Sequence, residues 1–475
     1  MSEALLSPKR SACGYRGGVI MAEADLQAYV SELRDRLEIP GVAVGVTVGD
    51  ENHLAFHGVT SVDDPLPVDA GTLFQIGSTG KTYTATAIHI LVEQDRIDLH
   101  APVRTYVPEL ELKDEQVARD VTVLHLLNHT AGWDGDLFVE TGDGDDALDR
   151  YVRLLAAIEQ VTPLGSTVSY NNASLGVAGL VIERVTGQRY EDVIRELLLE
   201  PLAMRRSFFS AKEIMTHRFS NGHRRTQGGK VTVTRPWDSG RYGVSMGGLS
   251  SNVADQLAWA RFHMGDGTAS DGTRVLTQES LRRMQEATVS CPWNALGDAV
   301  GIGWLLRDIE GMRVVAHGGD MTGQFSIFEM VPERRFAITS LTNCGPNGGQ
   351  FNEEIMRWAF DAYLGIEVKN PEPVRLDDEA LAAYAGRYET ISVIHDVRVA
   401  DGGLLLEDTI RPEVLEQRGE EAPDNPPDPL GILAEGDRYI VTDGPAKGER
   451  GSFSRDADGS INGMHVGGRY ATRVQ

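Results

Sequence analysis

Ser78 and Lys81 stand three residues apart in Phe74-Gln-Ile-Gly-Ser-Thr-Gly-Lys81. Positions i and i+3 of a helix share a face, so the lysine amine can reach the serine hydroxyl. If burial keeps that amine neutral, it takes the hydroxyl proton and leaves Ser78 a nucleophile. Leu73, Phe74 and Ile76 read as a buried incoming segment. The run from Lys81 to Ile97 has no proline or glycine and carries apolar residues at helical spacing. Ser78 therefore falls at the positive end of a helix, where its own backbone N–H can help hold an oxyanion.

The same letters, Gly77-Ser-Thr-Gly80-Lys81-Thr82, admit a phosphate-binding loop and hence a nucleotidase. That loop needs a glycine five positions before Gly80, where this chain has Gln75, so the backbone would not wrap a triphosphate in the usual way. In a blander reading Ser78 only caps a helix and Lys81 is solvated.

Two further clusters bear on the choice. Ser169-Tyr170-Asn171-Asn172 follows about ninety residues on, and His317-Gly318-Gly319-Asp320 follows near the end of the same globular region. Taken singly, Tyr170 is an ordinary half-buried core tyrosine, Asn172 a helix cap, and His317 the end of the apolar strand Met312-Arg-Val-Val-Ala-His317. Taken in order, the three clusters are far more specific. The set resembles the penicillin-recognising serine hydrolase superfamily, which unites β-lactamases (class C among them), penicillin-binding proteins, D-aminopeptidases and related esterases. The resemblance spans roughly residues 23 to 366 and includes Leu126-Leu-Asn-His129-Thr-Ala-Gly132 and Gly247-Gly-Leu-Ser-Ser-Asn252-Val-Ala-Asp255.

The resemblance implies a role for each residue. Ser78 is the acylated nucleophile and Lys81 its general base. Tyr170 relays the proton to the leaving group and later activates water. Asn172 hydrogen-bonds the lysine and the substrate amide. The backbone N–H groups of Ser78 and Asp320 form the oxyanion hole, each donor worth about 3 kcal/mol of barrier. Gly318 and Gly319 let backbone lie close against substrate. No metal or organic cofactor is implied.

His317 departs from the β-lactamase pattern, where lysine supplies a fixed positive charge for a substrate carboxylate. A histidine, with an unperturbed pKa of about 6.5, is neutral or titrating at working pH. The variant resembles D-aminopeptidases, related D-amino-acid peptidases and some esterases. A peptide or amide with a D-configured residue is the first expectation, a carboxylic ester the second and a β-lactam a distant third. If the neutral imidazole is the working form, activity is expected to fall as pH drops through the His317 titration. A catalytically silent binding protein is the contrasting class, which an intact Ser78, Lys81 and Tyr170 argues against.

Several decoys lose on context. Gly243-Val-Ser245-Met-Gly247 matches the nucleophile elbow of α/β-hydrolases, but a loop leads into it instead of an apolar strand. His53 with His57 and His125 with His129 have i, i+4 spacing. The first pair falls in a strand, where residues four apart are too distant to chelate one ion, and neither carries the glutamate of a zinc protease. Asp143 to Asp149 lacks the glycine and glutamate of a calcium loop and reads as a solvated surface.

The 475 residues suggest two or three domains, and 41% hydrophobic content is ample for a core. A formal charge of −25 argues against nucleic acid and anionic membranes as partners and leaves a small molecule or short peptide. Only seven of the basic residues are lysine. Cys13, Cys291 and Cys344 are too few and too scattered for a disulfide framework. The first 22 residues lack the continuous apolar run of a signal peptide and read as a disordered extension, with Met21 an alternative start. A cytoplasmic location is expected.

The elements that must position the site are legible in outline. Asp25 to Leu37 reads as an amphipathic helix, followed by strands at Val42 to Val48 and Leu54 to Val62. Residues 80 to 260 are mainly helical. Met312 to Asn343 reads as three strands joined at Gly318-Gly-Asp320 and Pro332-Glu-Arg-Arg335, and Phe351 to Leu364 as a closing helix. The expected fold is α/β: an antiparallel sheet built from both ends of the domain, flanked by helices, with a helical insertion and the site at the junction. The hydrolase domain is expected at 23–367 and a linker at 368–376, where proline marks a composition break. Residues 377–475 read as a small all-β barrel that resembles the lipocalin-like domain appended to some members of the family. Its strand candidates lie at 384–388, 397–399, 404–406, 439–441 and the end of the chain, with an acidic loop at Gln417 to Pro429. The barrel is expected to cover the substrate cleft or to supply a homo-oligomer contact.

Overall fold

The computed structural model describes residues 23–474 except 227, 238–239, 401 and 419–425. The expected N-terminal extension, the alternative start, Cys13 and most of the acidic loop lie outside the described residues.

Helix α1 (Glu23–Arg36) leads into β1 (Gly41–Val48) and β2 (Glu51–Gly58). Helix α2 (Lys81–Glu93) carries the Ser78 region at its start, α3 (Asn172–Thr186) carries the second cluster, and α4 (Val253–Met264) follows. The chain then returns to the sheet as β3 (Val289–Asn294), β4 (Gly297–Val300), β5 (Leu305–Ile309), β6 (Met312–Met321), β7 (Gln324–Val331) and β8 (Phe336–Thr342), closing with α5 (Asn347–Ala359). The eight strands run in the order β2-β1-β8-β7-β6-β5-β4-β3, all neighbours antiparallel.

Side chains two apart on a strand share a face, and the central strands use both faces. Val42, Val44, Val46, Val314 and Ala316 pack under α1 and α5 against Leu26, Val30, Phe351 and Ile355. Ala43, Val315, Phe328 and Met330 face α2, α3 and α4. This two-sided burial explains why β1 is an almost unbroken apolar run.

The expected strand count over 312–343 holds, but the first turn lies elsewhere. Gly318, Gly319 and Asp320 remain in β6, and the chain reverses at Thr322 (φ 46°) and Gly323 (φ 81°). A two-residue hairpin turn with both φ values positive matches the twist of its strands, which the Gly-Gly pair did not need to supply.

From Gly365 to Asp377 there is no helix or strand. The remainder closes as an eight-stranded barrel: β9 (Gly386–Glu389), β10 (Val393–Ala400), β11 (Gly403–Ile410), β12 (Asp428–Ile432), β13 (Arg438–Val441), β14 (Arg450–Arg455), β15 (Ile461–Val466) and β16 (Arg469–Val474). Closure comes from β9 pairing with β16, Arg387 opposite Val474. Tyr388, Leu404, Leu430, Phe453 and Met464 fill the interior. Strands β12, β14 and β15 were not among the expected ones; Asp-Pro-Leu-Gly-Ile and Arg-Gly-Ser-Phe-Ser-Arg are poor strand formers alone, and the ladder on both sides holds them extended.

The barrel is docked on the helical side of the site. Ile391 N donates to Asp134 Oδ2 at 2.7 Å, Ser392 Oγ to the Asp136 carbonyl at 3.2 Å, and Trp293 Nε1 to the Tyr439 carbonyl at 2.9 Å. Arg450 lies over the Trp293 ring at 4.4 Å. Among the described residues no helix is long and apolar enough to cross a membrane.

Candidate active site

Ser78 sits in a single 3-10 turn, Gly77–Gly80, that runs directly into α2. Gly77 has φ +50°, and a Cβ there would fall 2.7 to 2.9 Å from the Asp320 backbone. A Cβ on Gly319 would fall 2.5 Å from Ser78 N and 2.2 Å from the Ile76 carbonyl. These two glycines let β6 lie against the Ser78 turn, which brings the backbone of Asp320 beside that of Ser78. Strand β5 pairs only with Met312 to Ala316, so β6 is unpaired on that edge from His317 onward.

Lys81 is buried, at 1% exposure. Its Nζ donates to Ser78 Oγ at 2.8 Å and to the Met246 carbonyl at 2.6 Å. Burial pushes its pKa down to about 7, helped by the positive charge of Arg469 and opposed by Asp136 and Asp320. At neutral pH a large fraction of the amine is therefore unprotonated. In that form the contact reverses, with Ser78 O–H donating to the amine.

Tyr170 is hydrogen-bonded with Ser78, and its ring lies 5.0 Å from Lys81 Nζ. Burial raises the phenol pKa, against the pull of the Ser78 bond and the Arg469 charge, so the hydroxyl keeps its proton and is a donor. The His129 ring lies 4.5 Å from the Tyr170 ring, with Nδ1 accepting from Asn171 N at 3.1 Å. His129 is thus a brace for the Tyr170 segment, and His125 closes a capping box with Thr122. His125 and His129 are thus each tied into their own segment.

Asn172 opens α3, which Asn171 caps by accepting from Ser174 N at 2.8 Å. The Asn172 amide donates to Asp136 Oδ1 at 2.7 Å. The expected bond to Lys81 is replaced, since the lysine's bonds run to Ser78 and Met246. Asp136 is drawn to Arg469 of the barrel, whose Nε and Nη2 both donate to its carboxylate, the latter at 3.2 Å. That guanidinium stands over the Tyr170 ring at 5.0 Å.

His317 is 2% exposed and its Nδ1 lies 2.6 Å from the Gly318 carbonyl. A carbonyl only accepts, so Nδ1 carries the proton and Nε2, which has no partner among the described residues, is a bare acceptor. Burial, with the Lys81 charge beside it, lowers the pKa to about 3. The expectation that activity follows the His317 titration near neutrality is therefore corrected: the ring stays neutral down to about pH 3, whereas Lys81 titrates near 7.

Ser245 is fully buried, with Oγ donating to the Leu175 carbonyl at 2.9 Å. It packs against Gly179 and has no route to a substrate. The acidic run is a charged surface as expected, with Asp146 paired to Arg150 and Asp149 to Arg153 and Arg184.

Ser78, Tyr170, Asn172, His317, Gly318, Gly319 and Asp320 line one cavity of about 920 Å³, which the barrel walls on its far side. Sequence reasoning missed Asp136, Arg469 and the Met246 carbonyl. Arg469 lies 333 positions from Asp136 in sequence and carries no motif.

A nucleophilic serine against a buried lysine, a protonated phenol and a strand edge define a serine acyl-hydrolase site. The Beta-lactamase family model matches residues 26–362, and the chain belongs to that family. It is 33% identical to penicillin-binding protein 4 of Amycolatopsis lactamdurans over 374 residues, 77% of this chain and 97% of that protein. It is 25% identical to unguisins hydrolase ungD' of Aspergillus campestris over 68% of this chain and 61% of the relative. Its fold is that of SurE crystallised with D-Leu, with a TM-score of 0.73 at 21% identity over 95% of this chain and 99% of the other. The protein is an enzyme, a serine hydrolase of the β-lactamase and penicillin-binding-protein type.

Proposed function

We propose that this enzyme cleaves peptides or amides containing a D-configured residue through an acyl-Ser78 intermediate. Ser78 attacks the carbonyl as Lys81 takes its proton. The oxyanion is held by the N–H groups of Ser78 and Asp320. Tyr170, protonated at working pH, donates its proton to the leaving amine and is reprotonated by the proton that Lys81 took from Ser78; it then orients water for deacylation. Asn172 is oriented through Asp136. The observation that carries the reading is the neutral, acceptor-only His317 at the strand edge: it offers no charge to the carboxylate of a penicillin, yet leaves the edge open to an amide chain. The relative that hydrolyses unguisins and the related fold holding D-Leu support the same substrate class. We read the closed, sequentially ordered barrel as a lipocalin-like module following a hydrolase domain at 23–367 and a linker at 368–376.

The test is a side-by-side turnover screen of D- and L-aminoacyl amides, short-chain esters and a chromogenic cephalosporin. D-amides are expected to turn over, L-amides more slowly and the cephalosporin negligibly. Ester turnover alone would reassign the enzyme as a carboxylesterase. Rapid cephalosporin hydrolysis with amides and esters untouched would overturn the substrate class while leaving acyl-Ser78 in place.

A further inference from the structure

The catalytic cavity does not end at the hydrolase core. It continues into the mouth of the barrel, where Asp408, Asp428 and Glu449 line it together with His395 and Tyr439. Alternation along β12 puts Asp428 on the inward face of Leu430 and Ile432, where a barrel interior calls for an apolar side chain. On β11, Asp408 follows Leu404 and Leu406 at the exposed end of the strand, on the stretch that opens to the nucleophile.

Charge in this lobe is unbalanced. Asp408 Oδ1 lies 2.7 Å from His395 Nδ1, and Glu449 accepts from the Gly467 backbone. Among the described residues no lysine or arginine pairs with Asp408, Asp428 or Glu449. The two arginines lining the cavity are paired with other carboxylates, Arg469 with Asp136 and Arg235 with Asp63, and Arg469 offsets the Glu449 charge only from a distance. Burial and mutual repulsion push the carboxyl pKa of Asp428 up to about 6 and that of Glu449 to about 7. A cation bound among them removes that repulsion.

An independent observation comes from the core wall of the same cavity. His317, 2% exposed, presents Nε2 as a buried acceptor without a donor among the described residues. A ligand that satisfies it brings an N–H or O–H, not a carboxylate. The core wall thus calls for a donor and the barrel wall for positive charge. Among the described residues no three His, Cys, Asp or Glu side chains are gathered so as to hold a metal ion.

We propose that the barrel mouth is a specificity subsite for a protonated amine of the substrate, held by Asp408, Asp428 and Glu449 while the acyl carbonyl lies at Ser78. This rests on the acyl-serine reading and narrows its substrates to those carrying an ammonium group away from the scissile bond.

The experiment uses p-nitrophenyl esters of ω-amino acids of four, six and eight carbons, each against its methyl-terminated counterpart, on the full-length enzyme. Wild type is expected to prefer the amino ester by about tenfold in kcat/KM at one or more lengths, the size of one well-placed charge contact. Asp428→Asn with Glu449→Gln should bring that preference to within about twofold while leaving the neutral ester unchanged. Asp408→Asn serves as the second variant, and a thermal melt of each verifies folding. No preference at any length, or a preference that survives all three substitutions, overturns the subsite. Turnover of both ester series that persists in Ser78→Ala instead overturns the acyl-serine reading, so the two failures are distinguishable.

Discussion

Arg469, on the last strand of the barrel, stands over the ring of Tyr170 with its guanidinium 5.0 Å from the ring centroid. It clasps Asp136, which in turn holds Asn172. One residue of the barrel therefore fixes two side chains of the core and adds positive charge beside Lys81.

Replacing Arg469 by Gln removes the charge that helps hold the Lys81 pKa down and leaves Asp136, which raises it, without its cation. The Lys81 pKa must rise, and the limb of kcat/KM against pH must move to more alkaline values. Breaking the partly buried pair is expected to cost roughly 2 kcal/mol of stability as well. A pH profile of purified R469Q against wild type checks this; a limb that stays in place would remove Arg469 from the electrostatics of the site.

A fluorophosphonate probe is expected to attach to Ser78, with Ser78→Ala abolishing labelling and Ser245→Ala retaining it. Ser245 is enclosed with its hydroxyl on the Leu175 carbonyl, so its loss should lower stability by about 1 kcal/mol and leave labelling intact. An adduct mapped by mass spectrometry to Ser245 would refute the site.

What was legible in the sequence was what local spacing encodes. Ser78 and Lys81 share a helical turn, so their contact follows from i, i+3 geometry. Tyr170 and His317 were found only because their clusters recur in a known order; nothing in either stretch says that they converge. Arg469 was invisible, because its place depends on how the β15 to β16 turn docks on Ser169 and Tyr170, through Tyr470 N to Ser169 Oγ at 3.1 Å and Tyr170 N to the Gly468 carbonyl at 3.0 Å. The turn after β6 was misplaced for a related reason. Gly318 and Gly319 signal a reversal locally, but the absence of a Cβ at Gly319 serves close approach to the Ser78 turn.

That close approach gives a third expectation. Gly319→Ala would place a methyl 2.5 Å from Ser78 N and so force β6 away from the nucleophile. Since the strand carries Asp320, one oxyanion donor moves out of reach. Acylation should fall by about a hundredfold, and the melting temperature measured alongside it should drop as well, since the clashing atoms are backbone. Burst kinetics with an activated ester separate the acylation step; an unchanged burst rate would mean that Asp320 N–H does not serve the oxyanion.

The pH dependence assigns the base. Lys81 must be neutral to accept the Ser78 proton, and its pKa lies at about 7, so kcat/KM is expected to rise with pH through that value and level off above it. His317, at about 3, is already neutral across this range and contributes no limb there. His317→Gln should therefore change KM, through the loss of the Nε2 acceptor, and leave the limb near 7 in place. Lys81→Ala should reduce acylation by at least about a hundredfold and abolish the limb, the loss expected for a general base. If K81A keeps the limb, the assignment of Lys81 as base is wrong and the titrating group is another in the same cavity, Glu449 at about 7 or the imidazole, which a limb moved by H317Q would identify.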